Sequence, residues 1–396
     1  MKNTILYTGN FNIFNLNAAG KRVLYNCLAL QNAGYSILTL GMPPSNEENM
    51  FLDGDNNGFE NYHYPEKLIE KSRFRVGLLY DYFVDFIKDK LDCIKCIVLY
   101  GCPSLSIFNK KVICFARKNG IKVLADVVDW LPSVSGTIFF RTIKRIDNWF
   151  LKRVIYSKVD GVIAISPWLV KFYSNIEAKT ILIPPLNNTF PNIDVCNKKK
   201  TIVYAGIPFR LGKRIKRENE LKDRIDKMIV LLSDIEDIDF SFHIFGFTKE
   251  QLLHSLPSLS SPILKLGKRI TFFGQKDSSF IHNALKEADF TFLLRDNNLT
   301  STAGFPSKVS ESLAFNVPII TNKTSNISDY LLDDVECYFL DGLNDKESVE
   351  KIKSVLKQDN ETLLGKRHII FERKTFIYNK YSSQLHDFLN SLFNHN

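Results

Sequence analysis

The sequence has no run of about 18 apolar residues, the length that a helix needs to cross a bilayer. It also has no apolar segment at its start, because the polar pair Gly9-Asn10 comes early, so a secretory signal is not expected. With 396 residues, the chain has room for two or three domains. We therefore expect a cytoplasmic protein with large cores and no membrane-spanning helix.

Metal-binding patterns are also missing. No spacing of histidine, aspartate and glutamate is typical of a metal site, and none of the seven histidines lies where it suggests catalysis. The seven cysteines are an odd number, and most lie in apolar contexts such as Cys96 and Cys337, which is typical of reduced cytoplasmic thiols. Cys93 and Cys96 have the C-x-x-C spacing of a redox or zinc pair, but no second pair follows, so simple burial is favoured. We expect neither a metal nor another cofactor.

The composition is that of a folded protein, with 45% hydrophobic and 24% charged residues, and it excludes disordered and fibrous classes. Lysine and arginine number 52 against 43 acidic residues, and the net charge of +9 indicates an anionic partner. This partner is a nucleotide, a nucleic acid or a lipid surface. Because no helix-turn-helix, zinc or aromatic-platform motif is recognisable, nucleic acid is not expected.

Short β-rich runs alternate with segments of helical period, which predicts parallel sheets covered by helices. The stretch from Pro184 to Lys200 lacks periodicity, as expected of a linker. The sequence therefore predicts an α/β protein with two Rossmann-like, doubly wound domains that face a central cleft, where open α/β sheets bind ligands. The predicted strands are Thr4–Thr8, Ser36–Leu40, Cys96–Tyr100, Lys122–Val128, Gly161–Ile165, Thr201–Tyr204, Ser241–Phe245, Ile270–Phe273, Phe290–Leu294 and Val317–Thr321.

The segment 295–321 combines a strand end, a polar loop that contains glycine, a helix and a second strand. Pro306 and Ser307 are typical first-turn residues, so the helix should begin there, with its unpaired amides directed into the cleft. A diphosphate is the expected ligand of such a helix N-terminus. Lys308 adds positive charge at the same end, and Glu311, one turn later, is placed to accept hydrogen bonds from a ribose diol.

The run 306–314 followed by Pro318-Ile319-Ile320 resembles the donor-binding helix of the retaining GT-B glycosyltransferases of family four, which include many capsule, O-antigen and exopolysaccharide enzymes. The resemblance implies that Glu311 binds the nucleotide ribose. The family commonly has another glutamate eight positions earlier, facing the donor sugar, and this chain has Ala303 there. A subgroup with Gly-Phe-Pro-Ser/Thr-Lys looks closer, and in it the backbone of this loop faces the sugar and the phosphates. The donor-binding residues that this subgroup implies are Gly304, Phe305 and Ser307.

With less specific motifs, the resemblance extends over most of the chain. The run 204–208 looks like the first strand and turn of the family's C-terminal domain, which an arginine and a lysine on the diphosphate normally follow. The alignment gives Lys222 the phosphate role and leaves Arg210 as the second candidate, while a solvated charged surface is the alternative for both. Arg295 closes a strand at the cleft edge, where a phosphate or sugar contact and a structural ion pair are both open.

In the N-terminal half, Asn17 and Gly20 lie in a loop that resembles the family's acceptor-side glycine loop. A tight strand-to-helix turn is the alternative. Asp129 lies where many relatives carry a histidine near the donor sugar, and Asp126 is the neighbouring alternative. The catalytic residues that the resemblance implies are Lys222, Lys308 and Asp129.

A segment between residues 139 and 154 has an apolar stripe at helical spacing and basic residues on its other face. Such a helix either packs its stripe on a sheet or rests on anionic lipid, as a lipid-linked acceptor would favour. The stripe consists of Phe139, Ile143, Ile146, Phe150 and Val154, and the basic residues are Arg141, Lys144, Arg145 and Lys152.

The resemblance implies a retaining enzyme that moves a hexose-type sugar from a nucleotide diphosphate sugar to a saccharide acceptor, which is lipid-linked, at the inner face of the cytoplasmic membrane. It implies an acceptor-side domain over residues 1–190, a donor domain over 191–374, and a C-terminal helix over 375–396 that crosses back to the first domain. The run from Thr375 to Phe393 itself has helical period. Two alternatives stay open. One is a GT-B nucleotide-sugar epimerase, which needs extra acid–base carboxylates, and the other is a non-enzymatic nucleotide- or glycan-binding module.

Overall fold

The computed structural model describes residues 2–14, 17–43, 58–70, 76–103, 105–130, 138–190, 197–217, 220–343 and 345–394. The chain forms two compact units. The first unit consists of Met1–Leu186, Ala303–Phe305 and Tyr378–Asn396. The second consists of Asn187–Thr302 and Pro306–Ile377.

The first unit is built on a seven-stranded sheet. Its strands are β1 (Thr4–Gly9), β2 (Ser36–Gly41), β3 (Glu60–His63), β4 (Ile94–Tyr100), β5 (Lys122–Val127), β6 (Gly161–Ala164) and β7 (Thr180–Leu182). They lie in the order β3-β2-β1-β4-β5-β6-β7, and every neighbouring pair is parallel. This is the doubly wound order, in which the direction of strand addition reverses between β1 and β4.

Helices alternate with these strands. They are α1 (Ala18–Asn32), α2 (Glu66–Glu70), α3 (Val76–Lys88), α4 (Ser106–Lys118), α5 (Ile138–Phe150) and α6 (Pro167–Ser174). Because helices cover both faces of a doubly wound sheet, its central strands are buried almost throughout, and in the core Ile5 of β1 and Val98 of β4 pack with Cys27 of α1.

The second unit repeats this plan with six strands. They are β8 (Lys200–Ala205), β9 (Phe240–Phe245), β10 (Ile270–Gly274), β11 (Phe290–Leu293), β12 (Ile319–Asn322) and β13 (Cys337–Leu340), in the order β10-β9-β8-β11-β12-β13 and all parallel. Its helices are α7 (Ile225–Ser233), α8 (Lys249–Ser255), α9 (Ser260–Leu266), α10 (Ser278–Glu287), α11 (Leu299–Ala303), α12 (Ser307–Ala314), α13 (Lys346–Leu356) and α14 (Asn360–Arg373).

The last helix, α15 (Ser382–Phe393), packs Leu385, Leu389 and Leu392 into the core of the first unit. The continuous helical period predicted from Thr375 is wrong at its start. Helix α14 ends at the left-handed Lys374, where φ is 50°, and Ile377 forms a β-bridge with Asn187. A 3₁₀ turn then leads into α15.

The predicted α/β class is confirmed, and each of the ten predicted strands is present with its ends shifted by at most a few residues. Three strands were not predicted. All three lie at an edge of their sheet: β3 is polar and largely exposed, and β7 and β13 have three and four residues. Within the described residues, no helix combines the length and the apolar character needed to cross a membrane.

Helix α5 does not bury the apolar stripe that the sequence suggested. Ile143 is 41% exposed and Ile146 is 61% exposed, which contradicts packing of this stripe on a sheet. The α-helix also ends at Phe150, where one π-helical turn, Leu151–Ile155, replaces the regular spacing. This turn directs Lys152 inward, so Lys152 does not lie on an exposed basic face. The side chains of Phe139 and Arg141 lie outside the described residues.

Candidate active site

The strand order of the second unit reverses between β8 and β11, and ligands of open α/β sheets bind beside the carboxyl ends of the strands at such a point. Gly206 directly follows β8, and Arg295 comes two residues after β11. Asn322, the last residue of β12, binds the backbone of Arg295 by two hydrogen bonds. The Arg295 N–H donates to Oδ1 of Asn322 at 3.0 Å, and Nδ2 of Asn322 donates to the Arg295 carbonyl at 2.8 Å. Arg295 is therefore held firmly at the sheet edge.

A buried carboxylate, that of Asp223, joins the charged side chains at this edge. Its Oδ1 accepts a hydrogen bond from Nε of Arg295 at 2.7 Å, and its Oδ2 accepts bonds from Nζ of Lys308 and from the Tyr204 hydroxyl, both at 2.9 Å. Nζ of Lys308 also lies 5.5 Å from the centroid of the Tyr204 ring, a cation–π distance. We call Tyr204, Asp223, Arg295 and Lys308 the ionic cluster.

The ionic cluster holds one excess positive charge, because two cations face one carboxylate. Burial alone would raise the pKa of the Asp223 carboxyl, but the adjacent Lys308 and Arg295 together hold that pKa well below its usual range. The side chain of Asp223 is 1% exposed, whereas that of Lys308 is 21% exposed. The positive side of the cluster therefore reaches solvent, and its anionic partner does not.

Gly206 allows the backbone after β8 to approach Lys308 closely. A Cβ atom at Gly206 would lie 2.6 Å from both Cε and Nζ of Lys308, a separation that real Cβ atoms do not tolerate. The backbone that follows the neighbouring strand β9 is equally close to Gly206, since a Cβ atom at Gly246 would lie 2.4 Å from the Gly206 carbonyl oxygen. Any side chain at Gly206 would consequently displace the Lys308 ammonium.

Helix α12 begins beside the cluster, and its start at Ser307 is the one that the sequence predicted. Pro306 is its N-cap, with extended backbone and no capping side chain, and Ser307 is its first residue. The first amides of the helix thus lack a side-chain cap, and they carry the positive end of the helix dipole. Lys308 and the partly exposed Glu311 follow on the same helix. The preceding loop differs from the expectation, because part of it forms the short helix α11.

The other two predicted phosphate ligands, Lys222 and Arg210, are both exposed. The backbone N–H of Lys222 donates to the Pro208 carbonyl at 2.7 Å, which fixes the chain just before Asp223. The following residue, Arg224, pairs instead with Asp226 and Asp296 at 2.8 and 2.7 Å. The proposed contact of Lys222 and Arg210 with phosphate stays a prediction.

Ala303, Gly304 and Phe305 are buried. In the first unit, to which they belong, the Ser166 hydroxyl donates to the Ala303 carbonyl at 2.7 Å. Position 303, where the resembling family has a glutamate, is fully buried here. Ala303 therefore supplies no carboxylate, and its backbone carbonyl already accepts the hydrogen bond from Ser166.

The predicted acceptor-side residues lie at the start of α1. Asn17 is its N-cap and accepts a hydrogen bond from the Gly20 amide at 2.9 Å, so both form a strand-to-helix turn. Of the two candidate aspartates, Asp126 has no exposed side-chain surface and is bound by Arg22, at 2.9 Å, and by Tyr7. Asp126 therefore has a structural role.

Asp129 is the aspartate that a ligand can reach, because 41% of its side chain is exposed. Its Oδ1 lies 3.4 Å from Nζ of Lys152, which also donates to the Asp129 carbonyl at 2.9 Å. Burial lowers the pKa of Lys152, and Asp129 opposes this effect.

Among the described residues, no group of three or more histidine, cysteine, aspartate or glutamate side chains is placed to hold a metal ion. Cys93 and Cys96 are free thiols, the first exposed and the second buried. Sequence reasoning missed Asp223 as the centre of the cluster. The one signal for it was an acidic residue enclosed between Lys222 and Arg224 in a basic stretch.

Comparisons with known proteins bear on this arrangement. Residues 213–371 match the family model described as "Glycosyl transferases group 1". This range contains Asp223, Arg295, Lys308 and Glu311. A search of curated protein sequences found no match.

Solved structures resemble the chain over nearly its whole length. Sucrose-phosphate synthase from Thermosynechococcus elongatus has a TM-score of 0.66 at 14% identity, with 100% of both chains covered. HepE from Anabaena, solved with UDP-glucose, has a TM-score of 0.62 at 11% identity, with 98% of this chain and 99% of that chain covered. The lipopolysaccharide outer core galactosyltransferase WaaB has a TM-score of 0.55 at 12% identity, with 96% and 98% covered. The chain has the GT-B fold, and the family match in its second unit supports a GT-B glycosyltransferase.

Proposed function

We propose that this chain is a retaining glycosyltransferase that transfers a sugar from a nucleotide diphosphate sugar to a saccharide acceptor. In this proposal the acceptor is lipid-linked, and the reaction belongs to cell-surface polysaccharide biosynthesis. The observation that carries the proposal is the ionic cluster, whose excess positive charge lies beside the N-terminus of α12 within the family match.

The proposed chemistry depends on charge more than on proton transfer. When the nucleoside diphosphate leaves, negative charge grows on its oxygens, and fixed cations and amides stabilise that transition state. Lys308 and the first amides of α12 take this role, with Lys222 as a second cation. Glu311 binds the ribose, and Asp129 is the proposed partner of the donor sugar. The acceptor hydroxyl attacks the anomeric carbon from the face that the diphosphate leaves, and its proton passes to the departing diphosphate oxygen.

Two of the structural neighbours support the choice of substrates. HepE is solved with UDP-glucose, and WaaB is named as an enzyme of the lipopolysaccharide outer core. Both are similar to this chain in fold, so a nucleotide-sugar donor and a cell-surface saccharide acceptor are the first substrates to test.

We expect transfer to proceed without divalent metal and with retention at the anomeric carbon. Lysine and helix amides supply the positive charge that a metal otherwise gives. A thermal-shift screen of nucleotide sugars identifies the donor through the stabilisation that binding confers. Transfer is then run with excess chelator, and proton NMR couplings give the new linkage. Activity that needs added magnesium would contradict the metal-free reaction, an inverted product would contradict retention, and an epimerised donor without transfer would favour the epimerase.

Replacing Glu311 with alanine should weaken nucleotide binding about 10- to 100-fold. A hydrogen bond to a charged group contributes about 1.5–3 kcal/mol, and Glu311 is proposed to make one to the ribose. Isothermal titration calorimetry with UDP measures the change. Glu361→Ala, an exposed glutamate of the same unit, is the control. Unchanged affinity in a folded Glu311→Ala variant would remove Glu311 from the site.

Through α5, the protein should bind vesicles that contain phosphatidylglycerol more tightly than vesicles of phosphatidylcholine, and added salt should weaken this binding. Its exposed surface combines Ile143 and Ile146 with Lys144 and Arg145. Each basic residue near an anionic surface contributes about 1 kcal/mol, so the double variant Lys144→Gln/Arg145→Gln should bind roughly 30-fold more weakly in a flotation assay. Lys171→Gln, at an exposed position of α6, is the control. Equal binding to both vesicle types would exclude an electrostatic membrane contact.

A further inference from the structure

Three aromatic rings meet at the carboxyl ends of β5 and β6 in the first unit. Trp130 comes three residues after β5, and Trp168 and Phe172 lie four residues apart on one face of α6, which follows β6. The Trp130 ring centroid is 5.1 Å from that of Trp168 and 4.6 Å from that of Phe172. The rings of Trp168 and Phe172 are inclined by only 9° at 5.7 Å. We call these three rings the aromatic stack.

Charged groups border the aromatic stack. Nζ of Lys152 lies 4.9 Å from the Trp130 centroid, and the guanidinium of Arg153 lies 5.3 Å from the Phe172 centroid. These consecutive residues both reach the stack because they lie in the π-helical turn after α5, and such turns are frequent at functional sites. Asp129, next to Trp130 in the chain, holds Lys152 and keeps 41% of its own side chain exposed.

The stack has the features of a ligand site as well as of local packing. All three rings keep part of their surface exposed, although the neighbouring Leu169 and Tyr173 on α6 are fully buried. The rings also lie at the carboxyl ends of parallel strands, where open α/β sheets bind ligands. The arrangement combines flat apolar faces with a carboxylate and two cations, which is the usual composition of a small-molecule pocket: apolar walls with few polar groups.

A pyranose ring matches both parts of this surface. Its C–H face is apolar and packs against an indole, while its hydroxyls accept hydrogen bonds from a lysine or an arginine. We propose that the aromatic stack, with Lys152 and Arg153 at its border, binds a sugar ring of the acceptor. This inference rests on the proposed function and adds to it the place and the chemistry of acceptor recognition.

The chain offers a direct spectroscopic test, because Trp130, Trp149 and Trp168 are its three tryptophans. Trp149 is 55% exposed on α5 and is not part of the stack. In Trp149→Phe, the tryptophan fluorescence, excited at wavelengths that tyrosine does not absorb, therefore reports only on Trp130 and Trp168 of the stack. Titration with lactose or with maltose should change this fluorescence with saturation. Ribitol, a polyol without a ring, should cause no saturable change.

Variants then connect the signal to the stack. Trp168→Ala should weaken disaccharide binding roughly three- to tenfold in saturation-transfer NMR, while Trp168→Phe should retain most of it. Trp149→Ala removes an indole outside the stack and is the matched control. In the transfer assay, Trp168→Ala should raise the Michaelis constant of the acceptor and leave that of the donor unchanged. Circular dichroism verifies that each variant is folded.

The inference is overturned if neither disaccharide gives a saturable change, if ribitol gives the same change, or if Trp168→Ala and Trp149→Ala bind alike. Any of these results would make the stack a packing feature of α6. Failure of the proposed function would give a different result, because the wild-type protein would then not bind a UDP-sugar.

Discussion

Lys308→Ala is expected to lower turnover by about two to three orders of magnitude, while the Michaelis constant of the donor changes much less. Removing one preformed donor to a developing anion typically lowers turnover by about 10²–10³. The Lys308 ammonium has three N–H donors, and its bond to Asp223 uses one of them. Because charge on the leaving diphosphate grows in the transition state, the loss should appear in turnover more than in ground-state binding.

Steady-state kinetics of three further variants make this test specific. Lys308→Met retains a long side chain beside Gly206 without the charge, so it should lose as much turnover as the alanine variant. Lys222→Ala should also lower turnover more than it raises the Michaelis constant. Lys323→Ala removes an exposed lysine of the same unit, and its turnover should stay near that of the wild type. Wild-type turnover in both Lys308→Ala and Lys222→Ala would show that these lysines do not stabilise the diphosphate.

Asp223→Asn is expected to destabilise the protein by about 3–5 kcal/mol, the typical effect of removing one partner of a buried ion pair. The side chain is 1% exposed, and its loss of charge would leave Lys308 and Arg295 facing each other without a counterion. Urea-induced unfolding followed by far-ultraviolet circular dichroism measures the change. Glu236→Gln, which removes one partner of the exposed pair with Lys265, should shift the transition little. Equal stability of Asp223→Asn and the wild type would mean that the cluster does not stabilise the second unit.

The same carboxylate should make stability depend on pH in acid. The folded-state pKa of Asp223 is depressed, so its contribution to the free energy of unfolding is complete above the unfolded-state value of about 3.9. It is lost progressively as the pH falls below that value, because the unfolded chain then binds the proton more readily. Asp223→Asn should therefore show a flatter loss of stability than the wild type between about pH 5 and pH 3.

Much of the fold could be predicted from the sequence because its signals are local. Runs of β-branched and aromatic residues predicted strands such as β1 and β4, and the alternation of these runs with helical period predicted parallel sheets. The start of α12 was equally predictable, since Pro306 and Ser307 are residue types that favour the start of a helix, and the structure has them as the N-cap and the first residue. Each of these features depends on residues within a few positions of one another.

The candidate site depends on contacts between residues that are distant in the sequence. Asp223 pairs with residues 72 and 85 positions away, and the sheet order that brings β8 beside β11 creates these contacts. Its position between Lys222 and Arg224 is the one local signal, and that signal does not say which distant cations Asp223 binds.

The same reason explains the two aspartates of the first unit. Asp126 and Asp129 cannot be told apart by the sequence pattern, but Arg22, 104 residues away, binds the carboxylate of Asp126. The sequence by itself thus determined most of the strands, the start of α12 and the charged residues that follow that start. The pairing of charges, and the access of each carboxylate to solvent, came from tertiary packing, because burial and partners depend on residues that the chain order keeps far apart.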